Sequence, residues 1–220
     1  AIYSGLPERY ITAVKNSYAD EGIIYVTQSG YKDNDDRPYI FKSINYGECW
    51  KSISGDLPLV ALNEVEIYNN GLDNVLFAAT DGGIFYSNNG AVNWHYISGI
   101  MPAVPVFDIE IDYNNQRLVV GTHARSMYSY PIEDIVANAT TASQTTDITP
   151  PVISVTSSQN IKVKLGDTFV YPNVSASDDV DCDLTDKIVV TSNLDVNSVG
   201  TYTIEYFVRD NAGNLAKTDV

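Results

Sequence analysis

The sequence is poor in the residues that carry most enzyme chemistry. Its 220 residues include two cysteines, two histidines and two methionines. Neither Cys49 nor Cys182 belongs to a Cys-x-x-Cys pair, so the common zinc and dithiol redox patterns are excluded. The two cysteines fall in stretches that read as different domains, and no disulfide between them is expected. Cationic residues are also scarce, with 13 Lys and Arg against 28 Asp and Glu and a net charge of −15. Phosphate recognition needs clustered Lys and Arg, so nucleic acid and anionic membrane surfaces are excluded as partners. No apolar run approaches the ~18 residues of a membrane span. A signal peptide, a phosphate loop, a Ser-His-Asp spacing and a zinc motif are all missing. The lack of a signal peptide at Ala1 fits a processed product or a fragment.

What the chain does have is β-structure and repetition. Hydrophobic residues make up 44% of the chain, and there are 16 tyrosines against 6 phenylalanines, as in sheets with polar-tipped aromatics on wet surfaces. One short stretch occurs twice, as Ser43-Ile-Asn-Tyr-Gly-Glu-Cys-Trp50 and Ser87-Asn-Asn-Gly-Ala-Val-Asn-Trp94. The two tryptophans lie 94 − 50 = 44 residues apart, the length of one four-stranded propeller blade. Ser and Asn bond their own backbone in turns, Gly supplies a positive φ, and Trp anchors the corner. A second landmark, Leu6-Pro7, Leu57-Pro58 and Met101-Pro102, recurs at spacings of 51 and 44 residues. The polar loop Tyr31–Pro38 accounts for the longer interval.

After each landmark comes an alternating strand: Ile11–Val14, Val65–Ile67 and Phe107–Ile111. A more continuous apolar strand follows, Ile23–Val26, Val75–Ala79 and Leu118–Val120, and then a third, Tyr39–Lys42, Gly83–Tyr86 and Met127–Tyr130. The third unit lacks the repeated stretch and a fourth strand, whereas Ala1–Ser4 reads as the tail of a fourth strand from an earlier blade; the last blade's outer edge is expected to come from an N-terminal strand of the longer protein. Three blades do not close a ring, which takes about four to eight. Upstream blades of the same protein are therefore expected partners.

The repeated stretch resembles the Asp-box (BNR repeat) of sialidases, xyloglucanases and sortilin-like proteins, Ser-x-Asp-x-Gly-x-x-Trp. Asn45 and Asn89 stand where that family usually has Asp, and Gly90 is one place early. In the family the box is a structural corner between a blade's third and fourth strands and does not itself catalyse. Past residue 131 the composition changes. Ala137–Thr146 is small and polar without an apolar period and reads as extended, mobile linker. The words Thr149-Pro-Pro, Leu165-Gly-Asp, Asp178-Asp-Val-Asp-Cys-Asp-Leu-Thr185, Gly200-Thr-Tyr-Thr-Ile-Glu-Tyr206 and Asp210-Asn-Ala-Gly-Asn214 then resemble bacterial Ig-like domains of the hyalin-repeat and pesticidal-crystal-protein type. Cys182 sits where that family often has Gly. The expected fold is all-β: residues 1–131 the last three blades of a β-propeller, 132–148 a linker, and 149–220 an Ig-like β-sandwich, with the protein continuing past Val220.

No catalytic constellation is legible. His95 and His123 lie in different blades and read as strand-end residues with structural hydrogen bonds. Arg9, Arg37, Arg117, Arg125 and Arg209 form no recognisable sialidase triad, and acids are too numerous to choose a glycosidase pair. Tyr31, Tyr39 and Tyr96 are candidates for stacking on sugars. The one candidate metal centre is acidic. Asp178, Asp179, Asp181 and Asp183 lie within six residues, and Asp210, Asn211 and Asn214 occupy another strand-end turn. Calcium takes about six to eight oxygens, which two adjacent loops supply better than one, and a cation relieves the mutual repulsion of crowded carboxylates. Calcium is thus the only cofactor considered.

Two functions stay open for a secreted or cell-surface protein: a recognition platform for carbohydrate or a cell-surface protein with the Ig-like domain as spacer or adhesion module, or a sialidase- or xyloglucanase-like glycoside hydrolase whose catalytic residues lie largely upstream. A first test concerns the corner itself. Trp50→Ala is expected to destabilise the protein by about 3–5 kcal/mol if the indole is buried, and an unchanged thermal midpoint would contradict the corner reading.

Overall fold

The computed structural model describes residues 5–99, 101–140, 147–156 and 160–220. The chain divides into two compact units, 1–144 and 145–220.

The first unit holds three antiparallel meanders. Strands β1 (Tyr10–Asn16), β2 (Ile24–Gly30), β3 (Asp35–Ser43) and β4 (Lys51–Ser52) pair in sequence order. So do β5 (Leu62–Ile67), β6 (Leu76–Thr80), β7 (Gly83–Ser87) and β8 (His95–Tyr96). The third sheet has three strands among the described residues, β9 (Val106–Asp112), β10 (Arg117–Thr122) and β11 (Met127–Pro131). Strand β5 lies against β1 on one side and β9 on the other, so the first strands of the three sheets face one another, as in propeller blades.

Period-two alternation explains the central sheet. Leu76 and Ala78 join Tyr25, Ile40, Leu62, Val65, Ile67 and Trp94 in one cluster, between the first and second sheets. Their neighbours Phe77 and Ala79 join Ile84, Ile109, Leu118, Val120 and Tyr130 in another, between the second and third. A strand buried on both faces needs apolar residues at every position, and β6 reads as a continuous apolar run for that reason.

The two repeated corners have one hydrogen-bond pattern. Ser43 Oγ accepts from the amides of Asn45 (3.3 Å) and Gly47 (2.8 Å), and Asn45 Oδ1 accepts from Cys49 N at 2.9 Å. In the second corner Ser87 Oγ accepts from Asn89 N (3.4 Å) and Ala91 N (2.9 Å), and Asn89 Oδ1 from Asn93 N at 3.0 Å. Each corner places two successive residues at positive φ, Tyr46 and Gly47 in the first, Gly90 and Ala91 in the second. The displaced glycine thus still serves one of the two left-handed positions. Trp50 is buried with Val26 and Phe41, and Trp94 is buried with its indole N–H donating to the Ile53 carbonyl at 3.1 Å.

Four expectations change. Strand β3 begins at Asp35, inside the anticipated polar loop, after a 3-10 turn at Tyr31–Asp33. The alternation read from Phe107 breaks there: a register shift opposite Gly121 and Thr122 puts Val106 in the core and leaves Phe107 exposed. The start of the linker is ordered. Pro131 is followed by α1 (Glu133–Ala137), with Ile132, Ile135, Val136 and Ala139 packed on the core at helical spacing, and Thr140 N bonds the Asn88 carbonyl at 2.8 Å. Neither cysteine is free, contrary to an expectation that rested on segment membership alone. The expected strand tail at residues 1–4 and linker residues 141–146 lie outside the described residues.

The second unit contains two three-stranded antiparallel sheets, β12 (Val152–Val155), β13 (Val174–Asp178) and β14 (Cys182–Asp183), and β15 (Val189–Ser192), β16 (Ile204–Arg209) and β17 (Leu215–Asp219). Their inner residues Ala176, Leu184 and Val208 form a small core. Of the Gly200–Tyr206 stretch, only the residues from Ile204 onward lie in a strand, β16. Cys182 has φ 58°, which explains why glycine suits this place.

A charged cluster bridges the first two blades. Lys15 Nζ meets Glu66 Oε2 at 2.6 Å and Glu64 Oε1 at 2.9 Å, and Glu64 Oε2 accepts from Ile109 N. Burial pushes Lys15 down, but its bonds to Glu66 and Glu64 outweigh that and raise it. Burial raises Glu66 more than Lys15 lowers it, because Glu66 is the more enclosed partner, and Glu110 and Glu64 add repulsion.

Two predictions follow from these contacts. Ser43→Ala or Ser87→Ala leaves buried amides without an acceptor and is expected to cost about 1–3 kcal/mol each in denaturant melts; a loss near zero in both would show that the hydroxyls are dispensable. Lys15→Met is expected to cost about 2–3 kcal/mol at neutral pH, less than a fully buried pair since Lys15 is partly exposed. An acid whose folded pKa lies above its unfolded value favours folding below the unfolded pKa, and that contribution is lost as pH rises through the folded one. Removing Lys15 raises Glu66 further, so the deficit should shrink towards about pH 4; an equal deficit at both pH values contradicts the pairing.

Candidate functional site

Two places in the described residues offer chemistry, one in each unit. In the first, the β2–β3 hairpin gathers polar groups around Asp35. Its Oδ2 accepts from Arg37 Nη2 (2.7 Å), Tyr39 Oη (2.6 Å) and Arg9 Nη2 (3.1 Å). Arg37, then the Tyr39 hydroxyl, hold its carboxyl well below the usual carboxylate range. Arg9, Asp33, Asn34, Asp35, Asp36 and Arg37 line an open cleft of about 490 Å³. Tyr39 is committed to this network: its ring stacks on Phe41 and lies under the guanidinium groups of both arginines. Tyr96 is also committed, edge-on to Phe85 and so close to Gly83 that a Cβ there would come within 2.9 Å of its ring. Of the three tyrosines considered for sugar stacking, Tyr31 is the most open, 72% exposed against 42% for Tyr96, and Tyr10, 64% exposed, joins it with Lys32 above its ring. Sequence reasoning missed Tyr10 because it sits among strand residues.

His95 and His123 stay in separate settings, against the rings of Tyr86 and Phe107. The arginines form no triad. Arg9 and Arg37 converge on Asp35, Arg117 bonds Ser129, and Arg209 bonds the Gly213 carbonyl.

The second place is the acidic end of the Ig-like unit. Asp178 closes β13, and its Oδ1 accepts from Val180 N (2.8 Å) and Asp181 N (2.9 Å), an Asx turn that turns the chain towards β14. Asp181 reaches the β16–β17 turn, accepting from Asn211 N at 2.7 Å and Asn211 Nδ2 at 2.5 Å. Asp210 is buried. Burial pushes its carboxyl up, but bonds from the Asn214 side chain and backbone outweigh this and hold it below the ordinary range. Asn214 Nδ2 also donates to the Asp147 carbonyl at 3.0 Å.

The seven residues singled out from sequence therefore separate. Asp178 and Asp181 converge, and Asp147 joins them: one carboxylate oxygen from each lies within 4.8 Å of the others. This is the one such grouping of acids, histidines and cysteines among the described residues. Asp179 and Asp183 are exposed and outside it, Asp183 instead accepting from Thr185 N at 2.9 Å. Asp210, Asn211 and Asn214 brace the turn beside it. Asp147 was assigned to the linker; its only sequence signal is an Asx turn onto Thr149 N, at 3.0 Å.

Comparison with known proteins adds family context. Residues 153–219 match the family model described as bacterial surface protein, Ig-like domain. No curated protein sequence matches the chain. Among solved structures it is similar to the GH74 xyloglucanase from Xanthomonas campestris, with 10% identity and a TM-score of 0.43 over 56% of this chain and 21% of that one. A GH74 enzyme of Niastella koreensis gives 15% identity and a TM-score of 0.42, over 55% and 21%. An ancestral GH74 enzyme gives 16% and 0.41, over 96% and 27%. The chain therefore spans about a fifth to a quarter of the length of these enzymes.

Proposed function

We propose that the chain is a portion of a bacterial secreted or cell-surface protein whose blades form a recognition platform for carbohydrate and whose Ig-like unit is a spacer or adhesion module. The observation that carries this reading is the match of 153–219 to a bacterial surface Ig-like domain. The corners support the Asp-box reading, since in both the side-chain oxygen of the third residue accepts from the amide four positions on, a role Asn and Asp fill alike, with Asn89 Nδ2 adding a bond to Asn93 Oδ1. Further blades are the natural partners of the outer sheets. The central sheet buries both faces, whereas Ile11 and Val14 of β1 and Phe107 and Met127 of the third sheet are exposed.

The surface suited to sugar is the β2–β3 hairpin tip. Tyr31 and Tyr10 offer open rings for stacking on pyranose faces. The neighbouring Asp33, Asp36 and Arg37 offer acceptors and donors for hydroxyls. Affinity electrophoresis of the chain through gels containing plant and bacterial polysaccharides tests this. At least one polysaccharide, xyloglucan included, should retard migration, and Tyr10→Ala with Tyr31→Ala should weaken that at least about tenfold, the size expected for a stacked ring. Unretarded migration throughout, or a double variant that binds like the parent, rejects the platform. Release of reducing ends from xyloglucan would replace it with the glycoside hydrolase reading.

A further inference from the structure

We propose that Asp147, Asp178 and Asp181 form a calcium site at one end of the Ig-like unit. The three carboxylates come from separate places in the chain, the segment leading into β12, the end of β13 and the turn after it. Each nevertheless presents an oxygen within 4.8 Å of the other two. Three negative charges at that separation repel one another strongly unless something neutralises them.

Independent of the crowding, Asp147 Oδ2 and Asp178 Oδ2 are withdrawn from solvent and accept no hydrogen bond from the described residues. A buried carboxylate oxygen left without a donor is among the costliest groups a protein holds. Their partner oxygens are, by contrast, fixed by backbone amides: Asp147 Oδ1 by Thr149, and Asp178 Oδ1 by Val180 and Asp181. Each side chain is thus held by one oxygen while the other is left for a different partner. Asp181 is held by Asn211, and its carboxylate oxygens keep further lone pairs free for a cation.

The donor set identifies the cation's class. All three ligands are carboxylates, with no imidazole or thiolate in the group, which suits a hard divalent ion. Magnesium is usually held by one or two carboxylates and keeps most of its water, whereas a cluster of three anionic oxygens matches calcium. A bound ion would tie the residues entering the unit to the β13–β14 turn and, through Asp181 and Asn211, to the β16–β17 turn. The binding reading for the first unit plays no part in this site.

The test uses the full chain and calcium chloride. Isothermal titration should give one saturable site per chain, and the thermal midpoint should be higher in millimolar calcium than in chelator. Asp147→Asn and Asp178→Asn keep the oxygen that accepts the backbone amides, so each should weaken calcium binding at least about tenfold. In chelator both variants should melt at or above the parent, because a repelling charge is gone. Asp183→Asn, outside the cluster, should change neither reading. The site is rejected if the parent gives no heat and melts identically in calcium and chelator, if both cluster variants bind like the parent, or if they melt well below it in chelator. Magnesium binding as tight as calcium would reject the identity of the ion.

Discussion

A buried backbone amide needs an acceptor, and the two blade corners are built to supply it. Where β3 turns towards β4, Ser43 Oγ and Asn45 Oδ1 take up the amides of Asn45, Gly47 and Cys49. Where β7 turns towards β8, Ser87 and Asn89 repeat the arrangement. The side chains replace the ladder partners that the backbone loses as it leaves the sheet. This lets a tight corner sit against the core without exposing amides to apolar surroundings, and it delivers a tryptophan directly to the packing surface. Trp94 lands in the seam between the first two sheets, while Trp50 lands on the other face of the first.

The seams between sheets set the composition of everything else. Because β6 is covered on both sides, its sequence carries no alternation, and polar residues are pushed to the strands' ends or paired. Lys15, Glu64 and Glu66 show what happens when charge enters a seam. The lysine is held charged by two carboxylates, while the more enclosed Glu66 is raised. Such an arrangement fixes how β1 meets β5 more than it stabilises, since both partners gave up water to meet.

The Ig-like unit follows another economy. Its core of Ala176, Leu184 and Val208 with a few neighbours is small. Much of its order comes from polar turns instead: Asp178 onto the following amides, Asp181 onto Asn211, and Asp210 onto Asn214. Small domains commonly need help of this kind, from cross-links or metals, when apolar burial is limited.

The strands of the blades were legible because burial on one face or two leaves period-two or continuous apolar patterns. The corners were legible because Ser, Asn, Gly and Trp at fixed spacing have few other uses. The helical turn after Pro131 was equally written in Ile132, Ile135, Val136 and Ala139, though its polar surroundings obscured the period. Parity was not legible at β9, since one inserted residue in a hydrogen-bonded pair turns Phe107 outward and Val106 inward without altering composition. Nor did the acidic runs reveal their grouping. Asp178 and Asp183 look alike in sequence, yet a carboxylate's surroundings depend on which way its turn faces and which distant segment meets it. Local hydrogen bonding and side-chain volume, both short-range, were determined by the sequence itself. The meeting of Asp147 with residues more than thirty positions away was decided only by the tertiary structure, because electrostatic proximity depends on distance in space.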